Sequence, residues 1–414
     1  MRTATRLVAS LAAAAVIAGA GVFTPAWSAD KPAAKQGVSR PFSKPVIAAQ
    51  EALNAKKFPE ALAQLKELQA KEGKTPYDTF VINELQAFAE MNTQNLTEAA
   101  RLFEAGADSE FLQPQDRPQR MKVLATLYYQ TKVYPKAAEY GAKAVEADPA
   151  DENMYTLVSQ AYYLGEDYPN TLKFVDKFVE KDLAANAVPK EQALLLGRSA
   201  CLKLDDAACT SKATERLVTY HGKPEYWQQL LDPMFRQKGQ TNTFLLNVYR
   251  LAANVEALRT PDDYMEFADL ALAAGSPGEA QSALEKGMQK QVFTGASADR
   301  AKKLLESAKS QAATDQASLE KVAKDAASSQ IGSRDVGVGL AYLSYRQYDK
   351  AVEALQRGLG KSGVKDPAEA RLLLGMAQLG AGRKDEAQTT FKAVKGDPQL
   401  ERLATLWTLR ATGA

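Results

Sequence analysis

Residues 120–149 read RMKVLATLYYQTKVYPKAAEYGAKAVEADP, and the order of side chains in this stretch decides the fold. Leu124, Ala125 and Tyr128 fall on one stripe of a helix. Tyr134-Pro135-Lys136-Ala137 then turns the chain into a second helix that carries Ala138, Gly141 and Ala144, and Pro149 stops it. The small residues let two antiparallel helices approach closely, and the aromatic residues fill the wedge to the next pair.

The same arrangement recurs on both sides. A small or short residue opens the second helix of a hairpin at Ala61, Ala99, Ala137, Thr171, Cys209, Thr243, Ala280, Ala317, Ala351 and Ala387, in steps of 34 to 38 residues. A period held over most of the chain marks stacked helical hairpins, each burying its apolar face against its neighbours. The matches are good around Ala61, Ala99, Ala280, Ala351 and Ala387, and weaker around Thr171. They erode at Cys209, Thr243 and Ala317, and the last of these lies in the polar stretch from Ser297 to Ser328.

The pattern resembles the tetratricopeptide repeat, over about residues 45 to 398. The resemblance implies an all-α, right-handed superhelical solenoid of about ten antiparallel helix-turn-helix repeats, closed by a C-terminal capping helix over Pro398 to Thr412. Five segments follow. They are a signal peptide (1–29), a flexible leader (30–44), an N-terminal array (45–220), degenerate helical repeats (224–330) and C-terminal repeats with the cap (331–414). Joints are expected near Tyr220-His221-Gly222-Lys223-Pro224 and near Ile331-Gly332-Ser333.

The first 29 residues combine Arg2 and Arg6 with an apolar run from Leu7 to Phe23 and a small-residue exit, which reads as a secretory signal cleaved near Ala26 or Ala29. The expected location is the periplasm, with no integral membrane segment after cleavage. Export leaves 50 basic residues against 50 acidic ones. A neutral chain lacks the basic surface that phosphate neutralisation requires, so nucleic acid is not an expected partner. Cys201 and Cys209, the two cysteines, are a disulfide candidate across a hairpin turn, with two buried thiols as the alternative. His221 is the one histidine and stands in a loop without companions at ligand spacing, so no metal, cofactor or catalytic residue is assigned.

In tetratricopeptide arrays the first helix of each hairpin lines a concave groove. Carried onto this sequence, the resemblance puts Gln50 and Asn54 there, then the candidate partner-binding residues Lys122, Thr126, Tyr129, Thr156, Gln160, Tyr163, Arg198, Gln228 and Asp232. The tandem pairs Tyr128-Tyr129 and Tyr162-Tyr163 stand 34 apart. One tyrosine of each pair packs and the other faces the groove, where ring and hydroxyl suit a peptide. Alternatively, all four fill space between repeats. The expected function is a non-enzymatic scaffold that binds an envelope protein or an extended segment of one, since exported arrays of this family are linked to envelope assemblies. The rival is a carrier of a small apolar molecule, lined by Val336, Leu340, Leu343, Leu372, Met376 and Leu379.

Overall fold

The computed structural model describes residues 37–413. The signal peptide and residues 30–36 of the expected leader lie outside them. Two compact units divide the chain, Met1–Arg117 and Pro118–Ala414.

In the first unit, α1 (Arg40–Asn54), α2 (Phe58–Ala70), α3 (Pro76–Asn92) and α4 (Leu96–Ala105) pack in sequence, followed by a 3-10 turn at Pro114–Asp116. Helix α1 begins at Arg40, five residues ahead of the expected start at Pro45, which lies inside it. The early start has a local cause. Ser39 donates through its backbone N–H (2.8 Å) and its hydroxyl (2.7 Å) to the buried carboxylate of Asp78, fixing the chain at the mouth of the helix. Asp78 also closes a capping box with Thr75 at the start of α3. Phe42, Val46, Leu53, Leu65, Leu68 and Ile82 form the core of this unit.

The second unit holds α5 (Arg117–Gln130), α6 (Tyr134–Ala147), α7 (Glu152–Leu164), α8 (Tyr168–Ala184), α9 (Glu191–Lys203), α10 (Ala207–His221), α11 (Pro224–Phe235), α12 (Asn242–Asn254), α13 (Pro261–Ala273), α14 (Pro277–Gln289), α15 (Ala296–Ser328), α16 (Gly332–Ser344), α17 (Tyr348–Leu359), α18 (Pro367–Gly380), α19 (Lys384–Lys392) and α20 (Pro398–Thr412). From α6 onward each helix packs on the next. One apolar core runs from Val175 to Ala411, through Tyr220–Pro224 where the sequence placed a joint.

Eight hairpins share one turn. Lys56, Gln94, Lys132, Glu166, Asp205, Gly275, Arg346 and Gly382 all have positive φ, and each stands two residues before the second helix of its pair. The N–H of the following residue reaches back over the turn, as from Val133 to Tyr128 (2.8 Å), Asp167 to Tyr162 (2.9 Å) and Gln347 to Tyr342 (2.9 Å). That bond satisfies a carbonyl left open at the helix end. Close approach between helices relies on absent side chains. A Cβ on Gly141 would lie 2.4 Å from Val158 Cγ2 on α7, and one on Gly375 would lie 2.4 Å from the Phe391 ring.

Two of the ten expected repeats are not hairpins of this kind. Ala317 lies inside α15, which continues for 33 residues. Residues 296–328 contain neither Gly nor Pro to break it, and Ala301, Leu305, Ala308, Ala312, Leu319 and Ala326 make one buried stripe along its length. Thr243 does open a helix, α12, but the link from α11 spans residues 236–241 and lacks the common turn, and residues 246–252 of the helix are all buried. Among the described residues the count is therefore eight hairpins, with α11, α12, α15 and α20 as single helices.

Candidate partner-binding surface

The common turn supplies a register for comparing first helices. Counting back three residues from Lys132, Glu166 and Asp205 gives Tyr129, Tyr163 and Leu202. Counting back six gives Thr126, Gln160 and Ser199, and ten gives Lys122, Thr156 and Leu195. These nine residues on α5, α7 and α9 form three equivalent rows, all half-buried or exposed.

Burial separates the first tyrosine pair, with Tyr128 buried and Tyr129 half-buried, but not the second, where Tyr162 and Tyr163 are both half-buried. Tyr128 is buried and stacks on Tyr140 with 5.9 Å between ring centroids, and Tyr162 tilts against Phe174 at 6.1 Å. Tyr129 and Tyr163 remain half-buried. Each meets the first residue of the following helix edge to face, Tyr134 at 5.9 Å and Tyr168 at 5.6 Å. The Tyr129 hydroxyl donates to Gln160 Oε1 (2.9 Å), joining α5 to α7. Burial pushes the hydroxyl pKa of both tyrosines up, with the Tyr134 hydroxyl adding to the effect at Tyr129 and Lys203 opposing it at Tyr163. They therefore remain neutral hydrogen-bonding groups at physiological pH.

At α9 the corner changes character. Ala207 stands where Tyr134 and Tyr168 stand in the preceding hairpins, so no ring covers Leu202, which is 52% exposed. Leu195, seven residues earlier on the same face, is exposed as well. Sequence reading missed Leu195, Ser199 and Leu202 because it took its register from Cys209. The turn residue Asp205 sets the phase one position later.

Arg198 is thereby displaced from the row. Its Nε donates to Thr214 Oγ1 (3.1 Å) within its own hairpin, and burial pulls its guanidinium pKa down. Lys122 does belong to the row, but Asp151 (2.7 Å) and Asp148 (2.9 Å) hold its ammonium, and their hydrogen bonds raise its pKa. Thr126 and Thr156 turn their hydroxyls back to the carbonyls of Lys122 (2.9 Å) and Glu152 (3.0 Å). Gln228 and Asp232 lie on α11, where Asp232 faces Arg236 at 3.7 Å. Gln50 and Asn54 lie on α1 in the first unit.

Elsewhere, the sulfurs of Cys201 and Cys209 are bonded, with 5.4 Å between the Cα atoms, and the bridge ties α9 to α10 beside Leu202. The His221 ring Nε2 lies 2.9 Å from the Pro189 carbonyl oxygen. Among the described residues no three His, Cys, Asp or Glu side chains are placed to hold a metal ion, and no helix is long and apolar enough to cross a membrane. Leu343, Leu372 and Met376 are buried in the core, with Val336, Leu340 and Leu379 packed against it.

Residues 85–152 and 339–401 match the tetratricopeptide repeat family. They contain Ala99, Ala137, Ala351 and Ala387, where the repeat's small residue is alanine. No curated protein matches the chain. Among solved structures, the chain is similar to one described as Naa15/Naa10 bound to HypK-THB, with 14% identity and a TM-score of 0.29; the match covers 88% of this chain but only 60% of that one. A tetratricopeptide repeat protein from Parabacteroides merdae matches at 11% identity and a TM-score of 0.29, over 82% of this chain and all of that one. The TPR2AB domain of yeast Sti1, in complex with pHSP90, matches at 14% identity and a TM-score of 0.24, over 72% and 99%.

Proposed function

We propose that this protein is a non-enzymatic scaffold of the periplasm. It binds a protein, or an extended segment of one, along the rows on α5, α7 and α9, as part of a cell-envelope assembly. Tetratricopeptide repeats support a role in protein–protein interaction, and the repeated corner made by Tyr129 with Tyr134 and Tyr163 with Tyr168, continuing into bare Leu202, carries the assignment. Aromatic rings with hydroxyls at their tips supply apolar contact and hydrogen bonds at small entropic cost. Lys122 is already neutralised, so the rows favour an uncharged, partly apolar segment over an acidic one. The signal-like N-terminus and the Cys201–Cys209 bridge support export, because disulfides persist in oxidising compartments. The apolar stripe proposed for a small-molecule carrier is consumed by core packing, which favours the scaffold over the carrier.

The test is an affinity pull-down of the mature chain from envelope extracts of its own host, repeated with Tyr163→Ala and Leu202→Ala. Removing one well-packed anchor costs about 2 kcal/mol, roughly 30-fold in Kd, so capture should fall sharply for each variant. A partner retained at full strength by both variants would sink the assignment.

A further inference from the structure

Between Phe244 and Ala252, helix α12 has no exposed residue. Phe244, Leu246, Val248, Tyr249, Leu251 and Ala252 are buried, and so are the polar side chains of Asn247 and Arg250. Helices of an open array expose one side; a helix buried all round is a core element. What encloses α12 comes partly from the flanking helices α11 and α13 and partly from far along the chain. Tyr249 donates its hydroxyl to Glu266 Oε2 on α13 (2.8 Å), and Arg250 makes a two-pronged pair with Glu279 on α14 (Nη2 to Oε2, 2.8 Å; Nε to Oε1, 3.0 Å). Asn247 Nδ2 donates to Glu369 Oε1 on α18 (3.1 Å), and Arg410 Nε on α20 donates to Asn254 Oδ1 at the end of α12 (2.9 Å). Helix α20 packs directly on α12, and its Arg402 reaches Glu215 on α10 at 2.5 Å.

We infer that the inner face assembled by α13, α14, α18 and α20 is a helix-binding site, and that the chain's own α12 is the ligand it holds. The recognition is specific in kind. Asn247 Oδ1 accepts from Arg250 Nη1 (2.8 Å), so Glu369, Asn247, Arg250 and Glu279 form one continuous polar chain through an apolar contact. A buried charge pair adds little net stability over an apolar pair of equal volume, but it penalises every register in which it is unmatched. The site therefore takes a helix bearing Asn and Arg three residues apart amid aromatic and aliphatic side chains on every face, and a partner helix reaches it only by displacing α12. This inference is independent of the rows on α5, α7 and α9, which lie on other helices.

Hydrogen exchange on the full chain, combined with a synthetic peptide of the sequence Thr241 to Asn254, tests it. In the unmodified protein the amides of residues 246–252 should exchange in the slowest class, and the peptide should not bind. Arg250→Glu sets two carboxylates against each other at Glu279 and should lower protection in α12 by about 100-fold or more, while α16 and α17 keep theirs. The peptide should then bind the variant, because it restores the arginine. Arg250→Ala, which removes the pair without repulsion, should show the same selective loss to a smaller extent. Two results would overturn the inference. One is exchange of α12 ahead of α13 and α14 in the unmodified protein. The other is failure of the peptide to bind a variant whose α16 and α17 remain protected.

Discussion

Gly337 and Gly339 stand two residues apart in the middle of α16, and replacing each by alanine should move stability in opposite directions. A Cβ on Gly337 meets nothing within 4 Å. The substitution then only removes backbone freedom from the unfolded chain, a gain of roughly 0.5–1 kcal/mol. A Cβ on Gly339 would fall 2.4 Å from Leu355 Cγ and 2.9 Å from its Cδ2. Leu355 is wholly buried on α17 and has no room to yield. Overpacking of a filled core costs about 1–3 kcal/mol, so after subtracting the helix gain Gly339→Ala should lose roughly 1–2 kcal/mol. Urea unfolding followed by circular dichroism reads both numbers, provided the slope with denaturant is unchanged. Changes of the same sign for both variants would refute the reasoning that α16 and α17 depend on a missing side chain at that one position.

Three further outcomes follow from other contacts. Reducing the Cys201–Cys209 bridge, which closes a loop of sequence separation 8, should cost about 2.5 kcal/mol by the chain-entropy estimate, and a melting temperature unmoved by reductant would contradict this. Asp335 is fully buried between Arg357 (2.7 Å) and Lys361 (2.6 Å), so Asp335→Ala should destabilise by about 3 kcal/mol; a loss below about 0.5 kcal/mol in urea unfolding would refute the pairing. Burial raises the Glu369 pKa above the ordinary 4.5, opposed by the Asn247 hydrogen bond and Arg250 and assisted by Asp366. The fold thus favours the protonated acid, and the stability it contributes is full below the ordinary value and lost as pH rises through the raised one. Glu369→Gln should flatten that fall, and unfolding free energies of the two proteins that run parallel as pH rises above the ordinary carboxyl value would exclude it.

The hairpins were legible because their packing demands are local and strict. Ala61, Ala99, Ala137, Thr171, Ala280, Ala351 and Ala387 are each the fourth residue of a second helix and are wholly buried, a place where any large side chain would hold the helices apart. The turns were less visible. Six of the eight use Lys, Gln, Glu, Asp or Arg rather than Gly in the left-handed conformation, so composition does not announce them. That is why the register slipped at α9 and pointed to Arg198 instead of Ser199 and Leu202. Ala317 misled for a different reason. A small residue at the right period carries no information about a hairpin when nothing nearby breaks the helix. The burial of helix α12 is not legible in its own residues, because the partners of Arg250 and Asn247, Glu279 and Glu369, arrive from 29 and 122 residues away.

The binding role of the rows on α5, α7 and α9 is tested most directly by placing a photo-crosslinking amino acid at Tyr129, Tyr163, Leu202 and, as a control, at exposed Lys177 on the second helix of a hairpin. Irradiation in the host cell should yield one shared crosslinked species from Tyr163 and Leu202, a weaker one from the half-covered Tyr129, and none from Lys177. Crosslinking at Lys177 with silence at all three row positions would contradict the account.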